Sequence, residues 1–586
     1  YPDAEAVLTR SATLTMHSPE SGRYEEKFKI HVLNYAGVKR YSEVQIPFNP
    51  VWDDTPKITG RVTSPDGKTV RKLSPAEINI MDQPWASQTP RYPAGRILTA
   101  NFPGVQPGSV IEYSSTRSFR NRPFFSMRYA FAAHDPLQED TLSIVYPENL
   151  HPQTLPDPPR TEHRENTFTR KNVPAVPREP NQPELTDFVP AWGISFSRWR
   201  LLADRLQTEL NMRTNGQPAA ESKARALCYG LDNERDKILA IRNFVLQNIR
   251  LDGPAYTELP LSCLTNADKV LADGYGNSAD RAILLKTMLN AAGISARFVA
   301  VSDVQYTHKR LQKLLALPDA GIMHTILVAA GSDPQPYYLG GGTEYDALGT
   351  SPYEDDLALN LDNGELFTLT VRQPARDLQG YFDISIREDG SADIQWIRRY
   401  YGPAFGAAAK MFAELTPEKR RRYEQSLLAG ISHNAVQLQS MVTRFNHYPG
   451  VRQLNLRIPD FAVKAGPYRQ FELPGFSQLY HAFQTAGSIR KTPWMRTAGS
   501  KMFLEYRIVF PANWQVLSTE MTQSESLHEQ LVVRKRVRGN VLYITASLEQ
   551  RPCETQVTDY DNMEYLHTAL GEQSLRTVVF SVLQKW

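Results

Sequence analysis

Cysteine is nearly absent. Cys228, Cys263 and Cys553 are the only three in 586 residues, which excludes a disulfide framework, and their spacing fits no metal-ligand pattern. An excess of one charge is missing too. The 66 basic and 63 acidic residues leave a net charge of +3, too little for a nucleic-acid footprint. No apolar run approaches the ~20 residues that cross a bilayer as a helix. Internal repeats and low-complexity tracts are also lacking. What is there is an ordinary globular balance, 41% hydrophobic and 22% charged. At about 150 residues per domain, the length predicts three to four domains. The chain opens at Tyr1, and an export signal is expected ahead of it. With scarce cysteine and 27 Tyr and 8 Trp, this points to an exported bacterial protein, periplasmic or at the cell surface.

Residues 1–171 read as a β-sandwich, with short strands separated by turn signals. Phe28, Ile30 and Val32 alternate with Lys29, His31 and Leu33, so His31 reads as a polar-face residue. Ile58–Val62, the turn Pro65-Asp66-Gly67 and Val110–Tyr113 continue the pattern. Residues 172–194, with Pro174, Pro177, Pro180, Pro183 and Pro190, read as a stiff linker. The alternative is a Pro-rich strand that docks onto the next domain, with Phe188, Trp192 and Trp199 following closely. Residues 195–375 put helices first and strands after, an α+β order. The helices begin at Trp199, at Glu234 (to Asn248, capped by Asn233) and at Leu264 (to Leu271). A polar insertion, Gln305–Pro318, precedes the strand Ile322–Ala329, a turn at 331–334 and Tyr337-Tyr338-Leu339. Residues 376–586 read as a second β-rich, sandwich-like domain. It has a hairpin from Phe382 to Trp396 turning at Asp389-Gly390, a helix from Pro417 to Gly430, and strands Lys501–Phe510, Leu531–Val537 and Val541–Leu548. Arg420, Arg421 and Arg422 read as a solvated helix face.

One stretch carries chemistry. Gly274-Tyr275-Gly276-Asn277-Ser278-Ala279-Asp280-Arg281 is a tight turn opening a buried helix that stops at Gly293. Asn277 or Ser278 can cap its free amides, and Asp280 suits the positive end of its dipole. A side chain at such a first turn sits in a field that lowers a nucleophile's pKa. The strand Ile294–Val301 follows.

The region from about 230 to 360 resembles the transglutaminase-like superfamily, with its papain-like core. The resemblance rests on Ile249-Arg250, on Leu264-Thr265-Asn266-Ala267-Asp268-Lys269-Val270-Leu271, on Gly276-Asn277-Ser278-Ala279-Asp280-Arg281-Ala282-Ile283-Leu284-Leu285, and on Met323-His324-Thr325-Ile326. The flanks resemble the all-β domain of unknown function that precedes this core in exported bacterial proteins, and the β-rich domain that follows it. The resemblance implies a cysteine nucleophile at the helix start, a histidine base on the facing strand and an aspartate orienting the ring on the next. Here Ser278 stands at the cysteine position, His324 at the histidine position and Gly340 at the aspartate position.

Two of three roles are thereby altered. A serine hydroxyl lies far above a thiol's pKa of ~8.5 and cannot form the thiolate–imidazolium pair. It needs a ring held by a third group, which Gly340 does not supply. Glu344, Asp346 or Glu354-Asp355-Asp356 could swing in. Ser278 could also be a cysteine exchanged by engineering. The blander readings are Ser278 as an N-cap, His324 as a satisfied groove histidine, Cys263 as an inert thiol, Tyr337 and Tyr338 as strand packing, and Trp192 and Trp199 as docking anchors. The favoured expectation is a catalytically degenerate transglutaminase-like protein that binds a peptide, protein or cell-surface glycan. The alternative is an active peptidase, amidase or acyltransferase using Ser278 and His324. A third is a spacer whose β-domains do the binding. Neither cofactor nor metal is expected; calcium at Glu354-Asp355-Asp356 is set against a simply solvated acidic loop.

Overall fold

The computed structural model describes residues 4–305, 315–373, 377–477, 490–497, 499–517, 521–526, 528–560 and 570–583, together with 479 and 568. The chain is an α+β multidomain protein. Its backbone divides into two compact units, Tyr1–Gly341 with Tyr353–Thr370, and Gly342–Pro352 with Val371–Trp586.

In the first unit, an eight-stranded sheet is built around the hairpin Ala6–Ser18 and Ser21–Val32. Ala6–Ser18 runs parallel to Leu137–Val145 on one side, and Ser21–Val32 antiparallel to Val110–Phe119 on the other. The two-residue alternation holds: Ile30 and Val32 are buried while His31 between them is exposed. A three-stranded sheet of Glu43–Phe48, Arg96–Asn101 and Ile78–Asp82 contributes Ile46, Phe48 and Leu98 to the same core as Ile30, Ile58 and Ile111. Burying each such side chain stabilises the fold by roughly 1.5–3 kcal/mol.

Residues 172–194 are more than a spacer. They hold a short helix, Leu185–Phe188, and run into the strand Ala191–Ser195, which pairs with Ser126–Ala130. Trp192 is buried in the β-domain, its ring 5.0 Å from that of Phe168. The indole anchors this strand to the domain before it, because the apolar partners it can bury against are there.

The core that follows sets the helices Trp199–Met212, Pro218–Cys228, Glu234–Asn248, Ala267–Asp273 and Ser278–Ala291 with an antiparallel five-stranded sheet. The sheet order is Tyr337–Leu339, Thr325–Ala330, Ala296–Gln305, Asp356–Asn360, Leu366–Thr368. Asn233 caps its helix by accepting from the Asp236 amide at 2.8 Å. Pro218–Cys228 escapes the sequence reading because its buried side chains are only Ala220 and Ala224, too small for an apolar stripe. The strand after the insertion starts at Thr325 rather than Ile322, since Ala320–Ile322 coils as a 3-10 turn. Within the polar insertion expected at 305–318, residues 306–314 lie outside the described residues.

In the second unit, an eight-stranded sheet contains the expected hairpin, as Asp377–Ile386 and Ala392–Tyr400. It also contains Ser500–Val509, Val541–Gln550 and Glu529–Arg538. Thr416 caps Pro417–Ala429, and Arg421 and Arg422 on that helix are exposed. A further helix, Gly402–Glu414, buries Phe405, Ala408 and Phe412. Among the described residues no helix is long and apolar enough to cross a membrane.

Candidate active site

Asn277, not Ser278, is the cap of the helix Ser278–Ala291. Its side-chain oxygen accepts from the Asp280 amide at 3.0 Å, and its amide donates to the Pro254 carbonyl at 3.2 Å. Ser278 is therefore the first helical residue, and the reading of it as an N-cap is corrected. The helix is buried on nearly every side, from Ala279 through Leu285 and on to Leu289, so its start cannot drift. Ser278 sits half-buried against the strand Thr325–Ala330. Its Oγ donates to the His324 carbonyl at 3.3 Å and accepts from the Ile326 amide at 3.3 Å. Residues 278 and 324 meet, but the serine hydroxyl engages backbone.

Asp280 does more than complement a dipole. It is fully buried, and its carboxylate accepts from Tyr92 Oη at 2.6 Å, Arg91 Nη2 at 2.9 Å and the Thr265 amide at 2.8 Å. Tyr92 Oη also accepts from the Asn277 amide at 2.7 Å. Arg91 reaches the Tyr275 carbonyl at 3.0 Å and pairs with Asp273 at 2.7 Å. Arg91 and Tyr92 come from the N-terminal β-domain, so a loop of one domain clamps the first turn of another. Burial pushes the Asp280 carboxyl above the ordinary carboxylate range, against the downward pull of the Tyr92 hydroxyl and the Thr265 amide. Gly276 is required by the same clamp: a Cβ there would lie 2.8 Å from Asp280 Cβ. Sequence reasoning missed Arg91, Tyr92 and Thr265; the Arg-Tyr pair between Pro90 and Pro93 is its only local trace.

Nδ1 of the His324 ring lies 3.4 Å from the Gly321 carbonyl. Tyr256, fully enclosed, donates its hydroxyl to the Met323 carbonyl and so holds the backbone just before His324. Gly340 follows the strand Tyr337–Leu339 with φ of +110°, a conformation that side-chain-bearing residues rarely adopt. A Cβ there would have ordinary contacts at 3.6 Å to the Ile326 carbonyl and 3.7 Å to Leu285 and Leu327. The space exists, and the backbone conformation disfavours filling it.

The substitute carboxylates are placed as follows. Asp346 accepts from the Thr343 amide at 2.6 Å in a local turn. Glu354 and Asp356 are buried at the start of the strand Asp356–Asn360, with Asp355 between them at φ of +64°. Among the described residues, no three His, Cys, Asp or Glu gather as a metal site. Cys263 is half-buried, and burial pushes its thiol up, away from a reactive thiolate.

The first residue of a buried helix thus abuts a strand just behind a histidine, on an antiparallel sheet. Residues 221–321 match the model of the transglutaminase-like superfamily, and residues 18–177 match that of a domain of unknown function, DUF3857. The chain carries a transglutaminase-like core behind a DUF3857 domain. The matched core span includes Ser278 and stops before His324. A crystal structure of a candidate protease from Parabacteroides distasonis is similar over 99% of both chains, at 17% identity and a TM-score of 0.66, and so shares the fold. A candidate cysteine protease from Cytophaga hutchinsonii, at 12% identity, covers 62% of this chain and 83% of its own, with a TM-score of 0.18. No curated protein sequence matches the chain.

Proposed function

We propose that this is a transglutaminase-like protein without catalysis at residue 278, exported from a bacterium, whose groove binds a peptide. One observation carries the reading. Ser278 Oγ places its two hydrogen bonds on the backbone at His324 and Ile326, so its proton points to a carbonyl rather than to an imidazole. The glycine at position 340, at φ of +110°, supports the same reading, since a serine triad needs its imidazole oriented by a third group. The fold shared with a candidate protease supports a peptide as the groove's ligand.

The test is a peptide-hydrolysis and ammonia-release assay on the wild-type protein and on Ser278→Ala, alongside labelling with a fluorophosphonate. The expected result is no turnover that depends on Ser278 and no label on it. Turnover lost in both Ser278→Ala and His324→Ala, with label at residue 278, would overturn the reading in favour of a serine peptidase or amidase. That second reading draws on the meeting of residues 278 and 324 on one side of the sheet.

A further inference from the structure

Two cavities in the first unit lie side by side and share Arg122, Phe125 and Ser126 in their linings. The smaller, about 100 Å³, is walled by Phe124, Phe125, Tyr256, Leu259 and Leu261 and reaches Gly321, whose carbonyl faces the His324 ring. The larger, about 360 Å³, is lined by Arg117, Arg122 and Arg128 with Tyr24 and Tyr129.

The charged side chains along these linings differ in their hydrogen bonding. The three carboxylates are met by neutral donors: Asp319 by Ser126 Oγ at 2.8 Å, Glu26 by Tyr24 Oη at 2.8 Å, and Asp53 by the Asn49 amide at 2.8 Å. Among the described residues, none of the three arginines lies within 4.0 Å of a carboxylate oxygen. Among the described residues, the buried Arg128 Nε and Nη2 find no hydrogen-bond partner. Burial also lowers the proton affinity of Arg122, the cost of holding a cation out of water. The loop that carries Arg122 is strained as well: Asn121 and Phe124 have φ of +54° and +59°, the latter rare for a bulky side chain. Buried, unpaired guanidinium donors beside a cavity are satisfied by an incoming planar carboxylate, which accepts two N–H groups at once. The apolar walls at Phe124, Leu259 and Leu261 suit the methylenes of an acidic side chain better than the hydroxyls of a sugar.

We propose that these adjacent cavities form a subsite for the carboxylate side chain of an acidic peptide bound along the groove beside His324. It rests on the peptide-groove reading and adds a chemical selectivity to it.

The test uses two dansyl-labelled, C-amidated heptapeptide pools, with uncharged residues around a central Glu in one and a central Gln in the other, read by fluorescence anisotropy on the full chain. The wild-type protein is expected to bind the Glu pool about tenfold more tightly, the scale of a charge-assisted pair. Arg122→Gln and Arg128→Gln, each checked for an unchanged melting temperature, are expected to erase that preference. Arg61→Gln, at an exposed arginine paired with Glu112, is expected to keep it. Equal binding of the two pools would overturn the subsite while leaving the peptide groove standing. Absence of binding by either pool would overturn both. Tetragalacturonate binding in place of the Glu pool, and lost in Arg122→Gln, would overturn the peptide assignment in favour of an acidic glycan.

Discussion

Two side chains on the first turn of one helix make the sharpest contrast in the molecule. Asp280 is enclosed, accepts three hydrogen bonds from other segments and is tied to a guanidinium. Ser278, two residues earlier, is half-buried and makes two long bonds of 3.3 Å to a neighbouring strand. The Asp280 carboxylate is tied by short bonds to three separate segments, while the Ser278 hydroxyl rests on one neighbouring strand through two long ones. The helix start is thus held independently of any chemistry performed there.

This contrast can be broken by mutation, beginning with the largest effect. Asp280→Ala strands the Arg91 guanidinium, the Tyr92 hydroxyl and the Thr265 amide, and is expected to cost about 3–5 kcal/mol in chemical denaturation. A cost no larger than that of Ser278→Ala would erase the distinction. Tyr92→Phe removes one donor to Asp280 and the acceptor of the Asn277 amide, for about 1–2 kcal/mol.

Its pH dependence sharpens the comparison. Because burial raises the Asp280 carboxyl, the folded state holds that proton more tightly than the unfolded chain. The group's contribution is then greatest in acid and is lost as pH rises through the folded-state value. Tyr92 pulls that value back down, so its loss steepens the decline. The separation between the melting curves of Tyr92→Phe and the wild type should be smallest in acid, where the Asn277 amide bond alone is lost, and should widen as the pH rises. A constant separation would refute the clamp's role in that titration.

Ser278→Ala, which removes only two long bonds, is expected to cost less than about 1 kcal/mol in the same denaturation. His324→Ala should sit within about 0.5 kcal/mol of the wild type, as for a partly exposed ring. A large loss in either would tie the reacting position to the fold as firmly as Asp280.

Much of this was legible in the chain order alone. The glycine turn, the apolar run from Ala279 to Leu289 and the hairpin at Asp389-Gly390 are local patterns, and local patterns are written in neighbouring residues. The helix Pro218–Cys228 was hidden because alanine buries without leaving a strong stripe. The Arg91–Tyr92 clamp was hidden for another reason. It lies 188 residues from Asp280 along the chain, and nothing near Asp280 signals it.

By itself, then, the sequence marked a glycine turn opening a buried helix with Ser278 at its start, placed His324 just ahead of a strand, and carried the resemblance to the transglutaminase-like superfamily. The tertiary structure decided the rest. It chose Asn277 over Ser278 as the cap, spent the serine hydroxyl on backbone, and locked the helix through a loop of the preceding domain. The reason is that caps and strand contacts are settled by which donors are left unpaired once the chain has packed, and that pairing joins residues far apart in sequence.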